Sequence, residues 1–326
     1  MAMAMATELL LLLNSLPWWL LLLSSVGFLL LLRSAAALLR HLYCTLLRTP
    51  KNLNSYGAWA VVTGASDGIG KAFAAELARR GLHLLLVGRH PAKLADAAFD
   101  VAAAAAHPAV KVDCLVLDLA DDDLSGFARL QSAVDALDVG VLVNCAGATL
   151  PHAMYFHEAD EATWRGIVRV NAEAATRVAR AVVPGMLRRR RGAVVNVGSA
   201  ASVVLPSFPF SAVYAATKAY IGQLSSSLQV EYRSMGIDVQ CQIPFYVATK
   251  MVDIQKPSTF VPSPERYAKA AVDCIGYETR CSPYWSHSLQ WWLLGFIPHF
   301  LLNRWRLILG EFKRSQAMGH KLYCAS

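Results

Sequence analysis

Charged residues are scarce in this chain, and one long stretch near its start contains none. Asp, Glu, Lys and Arg make up only 17% of the 326 residues, and no charged residue lies between Leu9 and Leu32. A helix needs about 20 consecutive apolar residues to cross the hydrocarbon core of a bilayer. The lack of charge therefore argues against a purely soluble protein and predicts an N-terminal transmembrane helix.

A cleaved signal peptide is the alternative interpretation of this apolar run. No Lys or Arg precedes the run, and it is longer than the about 7 to 15 apolar residues of a secretory signal, so we expect a retained anchor. Four basic residues follow the run, whereas the only charged residue before it is Glu8. The positive-inside rule then places the rest of the chain in the cytosol. The basic residues are Arg33, Arg40, Arg48 and Lys51.

Three kinds of site have little support. The seven cysteines include no Cys-x-x-Cys pair, and several lie in apolar runs, which predicts buried free thiols in a reducing compartment. No two of the nine histidines have the helical metal-binding spacing with an acidic partner, so we predict no metal. The net charge of +8 is not arranged as a basic stripe interleaved with aromatic residues, so we predict no nucleic-acid partner.

Beyond a linker near residues 49–56, short apolar runs alternate with helical patterns. Continuous apolar runs are typical of parallel strands that helices cover on both faces, and the alternation is typical of a doubly wound sheet. The sequence therefore predicts an α/β fold with one doubly wound parallel sheet. The predicted strands are residues 58–63, 83–87, 110–117, 139–144, 193–197 and 237–243, and the predicted helices include residues 71–80, 161–180 and 212–232.

The chain is predicted to have three parts. Residues 1–52 form the anchor and a basic linker, residues 53–287 the sheet domain, and residues 288–326 a hydrophobic, amphipathic tail. Pro298 and several polar residues interrupt the apolar stretch 291–309. That interruption favours a segment lying at the membrane interface or covering a pocket, with a second membrane crossing as the alternative.

A glycine turn follows the first predicted strand and opens the first predicted helix. The absence of side chains at Gly64, Gly68 and Gly70 lets the backbone approach a pyrophosphate, and the helix N-terminus offers free N–H groups. A simple tight turn is the alternative. No acidic residue ends the second strand to hold the ribose hydroxyls of NAD. Arg89 stands there instead and favours the 2′-phosphate of NADP, unless it is merely an exposed residue leading into a helix.

Tyr214 and Lys218 are four residues apart in a predicted helix and therefore share one face. A cation beside a phenol favours the phenolate and makes the hydroxyl a better proton donor. Taken alone, the spacing is weak evidence, because a solvated Lys beside a packed Tyr is the more common reason for it. Its meaning depends on the other motifs of the chain.

Together these motifs resemble the short-chain dehydrogenase/reductase family. The shared motifs, in chain order, are Thr63-Gly64-x-x-x-Gly68-Ile69-Gly70, Asn144-Cys145-Ala146-Gly147, Asn171, Ser199 and Tyr214-x-x-x-Lys218. The resemblance implies a single Rossmann domain that holds the cofactor NADPH and the substrate together. The residues it implies for cofactor binding are Gly64, Ser66, Asp67, Gly68, Ile69, Gly70, Arg89, Asp118, Asn144, Ala146, Gly147, Tyr214, Lys218, Val247 and Thr249.

The resemblance also implies roles for four catalytic residues. Tyr214 would protonate the carbonyl oxygen, and Ser199 would hydrogen-bond the same oxygen, so these two residues also bind substrate. Lys218 would contact the nicotinamide ribose and lower the pKa of the Tyr214 phenol, and Asn171 would hold a water of the proton relay. Donors placed at an oxygen that gains negative charge stabilise the transition state more than the ground state.

Two further family positions carry expected cofactor contacts, and two departures alter the site. Asp118 resembles the acid that contacts adenine, and Asn144 the residue behind the adenosine ribose. Ser199 precedes Tyr214 by 15 residues, more than is usual in the family, so Ser202 is the alternative serine. Phe245 stands where the family usually has glycine, which must change the backbone or fill part of the pocket.

The segments 231–251, 256–257 and 262–264 resemble the microsomal 3-oxoacyl-CoA reductases of very-long-chain fatty-acid elongation, most closely the plant type. This resemblance implies an acyl-CoA substrate, membrane lipid and other elongase subunits as partners, and the endoplasmic reticulum membrane as location, with the catalytic domain facing the cytosol. The C-terminus has no dilysine retention signal. A 17β-hydroxysteroid or other lipid-alcohol dehydrogenase and a non-catalytic scaffold remain the alternatives.

Overall fold

The computed structural model of the protein describes residues 17–121, 124–252, 254 and 256–324, without the side chains of residues 45, 46 and 320–324. It divides into two compact units, Met1–Thr49 and Pro50–Ser326. The tail predicted as a separate part thus belongs to the same unit as the sheet.

The first unit contains the helix α1 (Trp18–Leu42), which passes into a π-helical turn at Tyr43–Leu47. Residues 9–16 of the predicted span lie outside the described residues. The helix continues beyond the uncharged run, through Arg33 to Leu42, so its 25 residues extend about 37 Å. Among the described residues, it is the one helix long and apolar enough to cross a bilayer. A signal sequence would meet the same criteria, so retention of the anchor stays a prediction.

Seven parallel strands form the sheet of the second unit, in the order β3-β2-β1-β4-β5-β6-β7. The strand order reverses between β1 and β4. Doubly wound sheets bind ligands at such a switch point. The fold class predicted from the sequence is confirmed. The strands are β1 (Trp59–Thr63), β2 (His83–Gly88), β3 (Val112–Val116), β4 (Val139–Asn144), β5 (Gly192–Val197), β6 (Ile237–Gln242) and β7 (Arg280–Cys281).

Helices cover both faces of the sheet, because the strands are apolar on both sides and must bury both. The buried side chains accordingly form two main clusters, one for each face. The helices of the second unit are α2 (Gly68–Arg79), α3 (Pro91–Ala103), α4 (Ser125–Asp135), α5 (Glu161–Val168), α6 (Ala175–Arg189), α7 (Ala200–Val203), α8 (Ala212–Tyr232), α9 (Pro264–Asp273), α10 (Trp285–Leu294) and α11 (His299–Cys324).

The core residues show how the two faces are filled. Phe73 and Leu77 of α2 are fully buried with Tyr267 of α9 against one face, and the Phe73 and Tyr267 rings meet edge to face at 6.5 Å. On the other face, Met186 of α6 packs with Val194 of β5. These side chains hold the helices against the two faces of the sheet.

The structure corrects three details of the sequence analysis. The helix predicted over residues 161–180 consists of α5 and α6 joined by a π-helical turn, Arg169–Ala174. The two-residue strand β7 was missed because a run so short has no period. None of the described cysteines forms a disulfide bond; only Cys241 among them is fully buried, while Cys114 on the edge strand β3 is exposed.

The apolar C-terminal stretch is two helices rather than one crossing. Gly295 is the C-cap residue of α10, and α11 begins after Pro298. Leu302 and Arg306 of α11 are buried against the rest of the unit. The inner side of α11 therefore agrees with the prediction of a segment that covers a pocket. The described part of this stretch contains no candidate membrane span.

Candidate active site

The glycine turn between β1 and α2 forms a cradle of bare backbone. Gly64 and Gly68 have positive φ angles of 66° and 54°, which side chains rarely tolerate. A Cβ atom at Gly64 would lie 2.8 Å from the Cα of Ala146, and one at Gly70 would collide with the Gly64 carbonyl oxygen. The cradle and the N-terminus of α2 therefore fit the pyrophosphate of a dinucleotide.

Thr63 joins this turn to the segment after β4. Its hydroxyl oxygen accepts hydrogen bonds from the backbone N–H groups of Cys145 and Ala146, at 3.1 and 3.2 Å. The bonds hold the predicted cofactor residues Ala146 and Gly147 beside the glycine turn. In the sequence Thr63 is part of a motif without an assigned role, and its place at the end of a buried strand is the only signal of this contact.

The segment after β6 lies across the glycine turn. A Cβ atom at Gly68 would lie 3.4 Å from the methyl carbon of Thr249. The ammonium of Lys250 lies 2.7 Å from the carboxylate of Asp67, which caps α2 through the Gly68 N–H. The hydrogen bond from Lys250 is the main cause of the lowered pKa of Asp67. The structure thus brings Asp67, Gly68 and Thr249 together as predicted cofactor residues.

Arg89 and Asp118 follow two neighbouring strands at the same edge of the sheet. Gly88 of β2 pairs with Val116 of β3, and both Arg89 and Asp118 are exposed just beyond this pair. Ser66 lies next to the end of β2, with its hydroxyl oxygen 3.7 Å from where a Cβ atom of Gly88 would be. If a dinucleotide binds with its pyrophosphate at the N-terminus of α2, its adenosine half would lie near the side chains of Arg89 and Asp118.

Lys218 is buried and held by the end of β5. Its ammonium donates a hydrogen bond of 2.8 Å to the carbonyl oxygen of Val197 and lies 5.9 Å from the centre of the Tyr214 ring. Tyr214 is partly exposed on the same helix, α8. The predicted pair therefore shares one face of α8 and points to the carboxyl end of the sheet.

Two thiols near Lys218 do not neutralise it. Burial raises the pKa of Cys145 to about 12 and that of Cys241 to about 11, although the ammonium of Lys218 opposes both shifts. Both thiols therefore keep their protons at neutral pH. The positive charge of Lys218 stays available to its neighbours.

Asn171 lies in the π-helical turn between α5 and α6, and such turns are frequent at functional sites. Its amide nitrogen donates to the Ala148 carbonyl and to the Thr217 hydroxyl, and its Oδ1 accepts from the Ala148 N–H at 2.7 Å. A Cβ atom at Gly147 would lie 3.6 Å from both this Oδ1 and the Lys218 ammonium. Glycine keeps the gap between them open, where the predicted relay water would bind.

The two candidate serines have different partners. Ser199 begins α7 directly after β5, and its Oγ accepts from the Ala201 N–H at 3.2 Å, which leaves its proton free to donate. The Ser202 hydroxyl donates at 3.0 Å to the Ser199 carbonyl oxygen. Because the Ser202 hydroxyl already donates its proton to a backbone carbonyl within the turn, the geometry supports Ser199 as the donor to substrate.

Asn144 makes contacts other than the one expected of it. Its amide nitrogen donates to Asn196 Oδ1 at 2.9 Å and to the Ala175 carbonyl, and Asn196 in turn donates to Ser225. The side chain is buried within this polar network, with its own Oδ1 left without a partner. The amide thus ties β4 to β5, and its contact with the ribose stays a prediction.

An apolar cavity of about 300 Å³ lies beside Tyr214. Val213 lines it, and Tyr214 packs against the same cluster as the lining residues Leu150 and Met154. Leu307 of α11 closes one side, so the C-terminal helix forms part of the wall. The remaining lining residues are Tyr155, Phe156, Ala159, Pro209, Phe210 and Ala212.

His287 fixes the unusual Phe245 segment, and the sequence analysis missed it. Its Nδ1 accepts from the Phe245 N–H at 3.4 Å, and its Nε2 lies 3.1 Å from the Tyr246 carbonyl oxygen. The ring is also in contact with Phe245 and Tyr267. Burial lowers the pKa of His287 to about 4, so the neutral ring bridges both backbone groups. A lone histidine in an apolar stretch gave no signal of this role.

The fold and the site define the class of protein: an oxidoreductase with a Rossmann domain. The family model described as short chain dehydrogenase matches residues 58–258. The chain belongs to this short-chain dehydrogenase/reductase family, which confirms the predicted family and supports a nicotinamide cofactor.

Two curated relatives and one solved structure illustrate the similarity. A very-long-chain 3-oxoacyl-CoA reductase-like protein of Arabidopsis thaliana is 51% identical over 290 residues, covering 85% of this chain and 92% of the relative. An inactive hydroxysteroid dehydrogenase-like protein 1 of Homo sapiens is 40% identical, covering 82% and 80%. A short-chain dehydrogenase from Sphingobium yanoikuyae in complex with NADPH is 29% identical with a TM-score of 0.62, covering 73% of this chain and 92% of that structure.

Replacing the two serines separately tests which one serves the substrate. We expect Ser199→Ala to lower kcat/KM by about 10²- to 10³-fold, because it removes a donor to the developing oxyanion. Ser202→Ala should keep most of the turnover, since it removes only a bond within the turn. Steady-state kinetics with the purified full chain measures both. The assignment is wrong if the two variants behave the other way round.

Because His287 is neutral in the folded chain, we predict that the free energy of unfolding of the wild type relative to His287→Gln depends on pH. The unfolded chain takes up a proton on this ring below about pH 6.5, whereas the folded chain does so only near pH 4. Stability is therefore present above the unfolded pKa and is lost as the pH falls. We expect the stability of the wild type relative to His287→Gln to decrease by up to about 3 kcal/mol between pH 7 and pH 4.

Chemical denaturation at several pH values measures this difference. His107→Gln, at an exposed histidine, is the matched control. The difference in stability between the wild type and His107→Gln should hardly change with pH. A constant difference for His287→Gln as well would contradict the neutral bridging ring.

Proposed function

We propose that the protein reduces the 3-keto group of acyl-CoA thioesters with NADPH, giving 3-hydroxyacyl-CoA for the elongation of very-long-chain fatty acids. The observation that carries the proposal is the apolar cavity beside Tyr214, which suits an acyl chain whose ketone lies at the phenol. The 51% identity to a plant protein named very-long-chain 3-oxoacyl-CoA reductase-like supports the same substrate class.

When bound, NADPH supplies a hydride to the carbonyl carbon. The Tyr214 hydroxyl donates its proton to the carbonyl oxygen, and the Ser199 hydroxyl donates a hydrogen bond to the same atom. The buried ammonium of Lys218 stabilises negative charge on the phenol oxygen after the proton has left. Asn171 Oδ1 and the Lys218 ammonium flank the gap at Gly147, through which a water returns a proton to Tyr214.

The choice of NADPH over NADH rests on Arg89. Its guanidinium is exposed beyond β2, where it can pair with a 2′-phosphate in two parallel hydrogen bonds. The sequence Val87-Gly88-Arg89-His90 offers no carboxylate to the ribose hydroxyls. A solved relative that is 29% identical was determined in complex with NADPH, which agrees with this preference.

The membrane assignment follows from α1 and from the nature of the substrate. A very long acyl chain partitions into lipid, so an enzyme anchored by α1 meets its substrate where it is concentrated. The basic residues after the apolar run favour a catalytic domain on the cytosolic side of the membrane. We assign the protein to the endoplasmic reticulum membrane, with the other elongase subunits as partners.

Two observations favour other functions, a hydroxysteroid dehydrogenase and a non-catalytic scaffold. A cavity of about 300 Å³ lined by apolar side chains also suits a steroid, so a hydroxysteroid dehydrogenase is the second candidate. A human relative that is 40% identical is named inactive, which raises the possibility of a scaffold. Against a scaffold, this chain has Ser199, Tyr214 and Lys218, and the Ser199 hydroxyl is free to donate because its oxygen only accepts a bond from the Ala201 N–H.

A substrate and cofactor panel tests the proposal. Microsomes that carry the full chain should oxidise NADPH with a 3-oxoacyl-CoA and not with a ketosteroid. NADPH should be preferred to NADH, and Arg89→Ala should reduce this preference by about 10- to 100-fold, the worth of a charge-assisted pair with phosphate. Spectrophotometry at constant protein concentration measures each rate.

Tyr214→Phe is the matched control, since it removes one oxygen atom from the proposed acid. It should lower the rate by at least about 10²-fold, as expected for a lost proton donor. Oxidation of NADPH with the steroid alone would assign the second candidate instead. Rescue of elongation by Tyr214→Phe in cells that lack the protein would establish a scaffold.

A further inference from the structure

The C-terminal helix α11 buries a positive charge that pairs with none of the described carboxylates. Arg306 is only 4% exposed, and its Nε has no hydrogen-bond partner. None of the carboxylates that the structure describes forms an ion pair with it, whereas Arg314 on the same helix pairs with Glu158. Because a buried charge without a counter-ion is costly, Arg306 calls for an anion from outside the chain.

Aromatic rings and a phenol surround the guanidinium of Arg306. It covers the ring of Phe208 at 4.0 Å and lies 5.5 Å from the centre of the Trp305 ring. Its positive charge also acts on the Tyr246 phenol, whose pKa it lowers. These contacts hold the planar group in place, which is how arginine is prepared for recognition of a phosphate.

Lys313 adds a second positive charge to the same phenol. Its ammonium lies 3.5 Å from the Tyr246 Oη and 5.1 Å from the ring centre. Burial raises the pKa of Tyr246, but the charges of Arg306 and Lys313 outweigh that effect and leave it below the usual value. Two cations and a hydroxyl group therefore converge on one spot, and in the described part of the chain no carboxylate forms an ion pair with either cation.

This cationic cluster, Tyr246, Arg306 and Lys313, lies beside the proposed active site. Leu307, which lines the apolar cavity, is the neighbour of Arg306 on α11. On the other side, Tyr246 stands in the segment that leads to Thr249 at the glycine turn. The cluster thus lies between the acyl-chain cavity and the segment expected to touch the nicotinamide.

We propose that the cationic cluster binds a phosphate of the coenzyme A moiety of the substrate while the acyl chain fills the cavity. This inference rests on the proposed function for the reaction but concerns a different contact. It selects between the two candidate substrates, because a neutral steroid would leave the guanidinium of Arg306 without a counter-ion.

Paired substrates separate recognition of phosphate from packing. The full chain in nanodiscs is given a 3-oxoacyl-CoA or the N-acetylcysteamine thioester of the same acyl group, which has the same ketone and no phosphate. Arg306→Met keeps a long apolar side chain over Phe208 and removes the charge. It should raise KM for the CoA thioester by about 10- to 100-fold, as for a lost charge-assisted hydrogen bond, and leave KM for the neutral thioester unchanged.

Two variants serve as controls. Arg306→Lys keeps the charge without the planar fork and should give a smaller increase in KM for the CoA thioester. Arg304→Met removes the same charge from an exposed position of α11 and should change neither KM. An equal increase for both thioesters in Arg306→Met would show that Arg306 only packs the helix, and no increase would likewise overturn the proposal.

Binding of free coenzyme A tests the cluster independently of the reaction. Calorimetry on the detergent-solubilised protein should show binding that Arg306→Met weakens by about 10-fold or more. If the wild type reduces neither thioester but binds coenzyme A in this way, the proposed function fails and the cluster stands. If both proteins bind coenzyme A equally, or only phosphatidic acid in nanodiscs depends on Arg306, the assignment to the substrate is wrong.

Discussion

The candidate site depends on one buried ammonium group, that of Lys218. A charge in this position is stable only when it is hydrogen-bonded, and the carbonyl oxygen of Val197 supplies a bond of 2.8 Å. This bond ties α8 to the end of β5, which is where Ser199 begins α7. The same contact therefore sets the position of the phenol on α8 relative to the serine that follows β5. The neutral thiols of Cys145 and Cys241 leave the charge uncompensated.

Backbone contacts assemble the cofactor side of the cleft in a similar way. Thr63 holds the segment after β4, and Lys250 holds the segment after β6 over the cap of α2. Both segments leave the carboxyl ends of strands of the same parallel sheet, which brings them to one edge where a few hydrogen bonds fix them. His287 does the same for the segment around Phe245, where a side chain replaces the usual glycine.

The C-terminal helix gives the general fold its particular pocket. Leu307 lines the apolar cavity, whereas Arg306 and Lys313 face Tyr246 on the other flank. A cavity for an apolar chain and a cluster of positive charge thus lie side by side under one helix. The combination fits a substrate that is apolar at one end and anionic at the other, which is a property of acyl-CoA thioesters.

The sequence by itself determined the parallel sheet, the glycine turn and the Tyr214 and Lys218 pair, because local periodicity and spacing express these features directly. It also showed the apolar N-terminal run, but the continuation of α1 past Arg33 to Leu42 is seen only in the structure, because a single charge does not break a helix. Only the tertiary structure decided the partners of Asn144, the bridging role of His287 and the burial of Arg306. Each of these depends on side chains far apart in the chain, and no local pattern reports which groups will meet when a sheet brings its strand ends together.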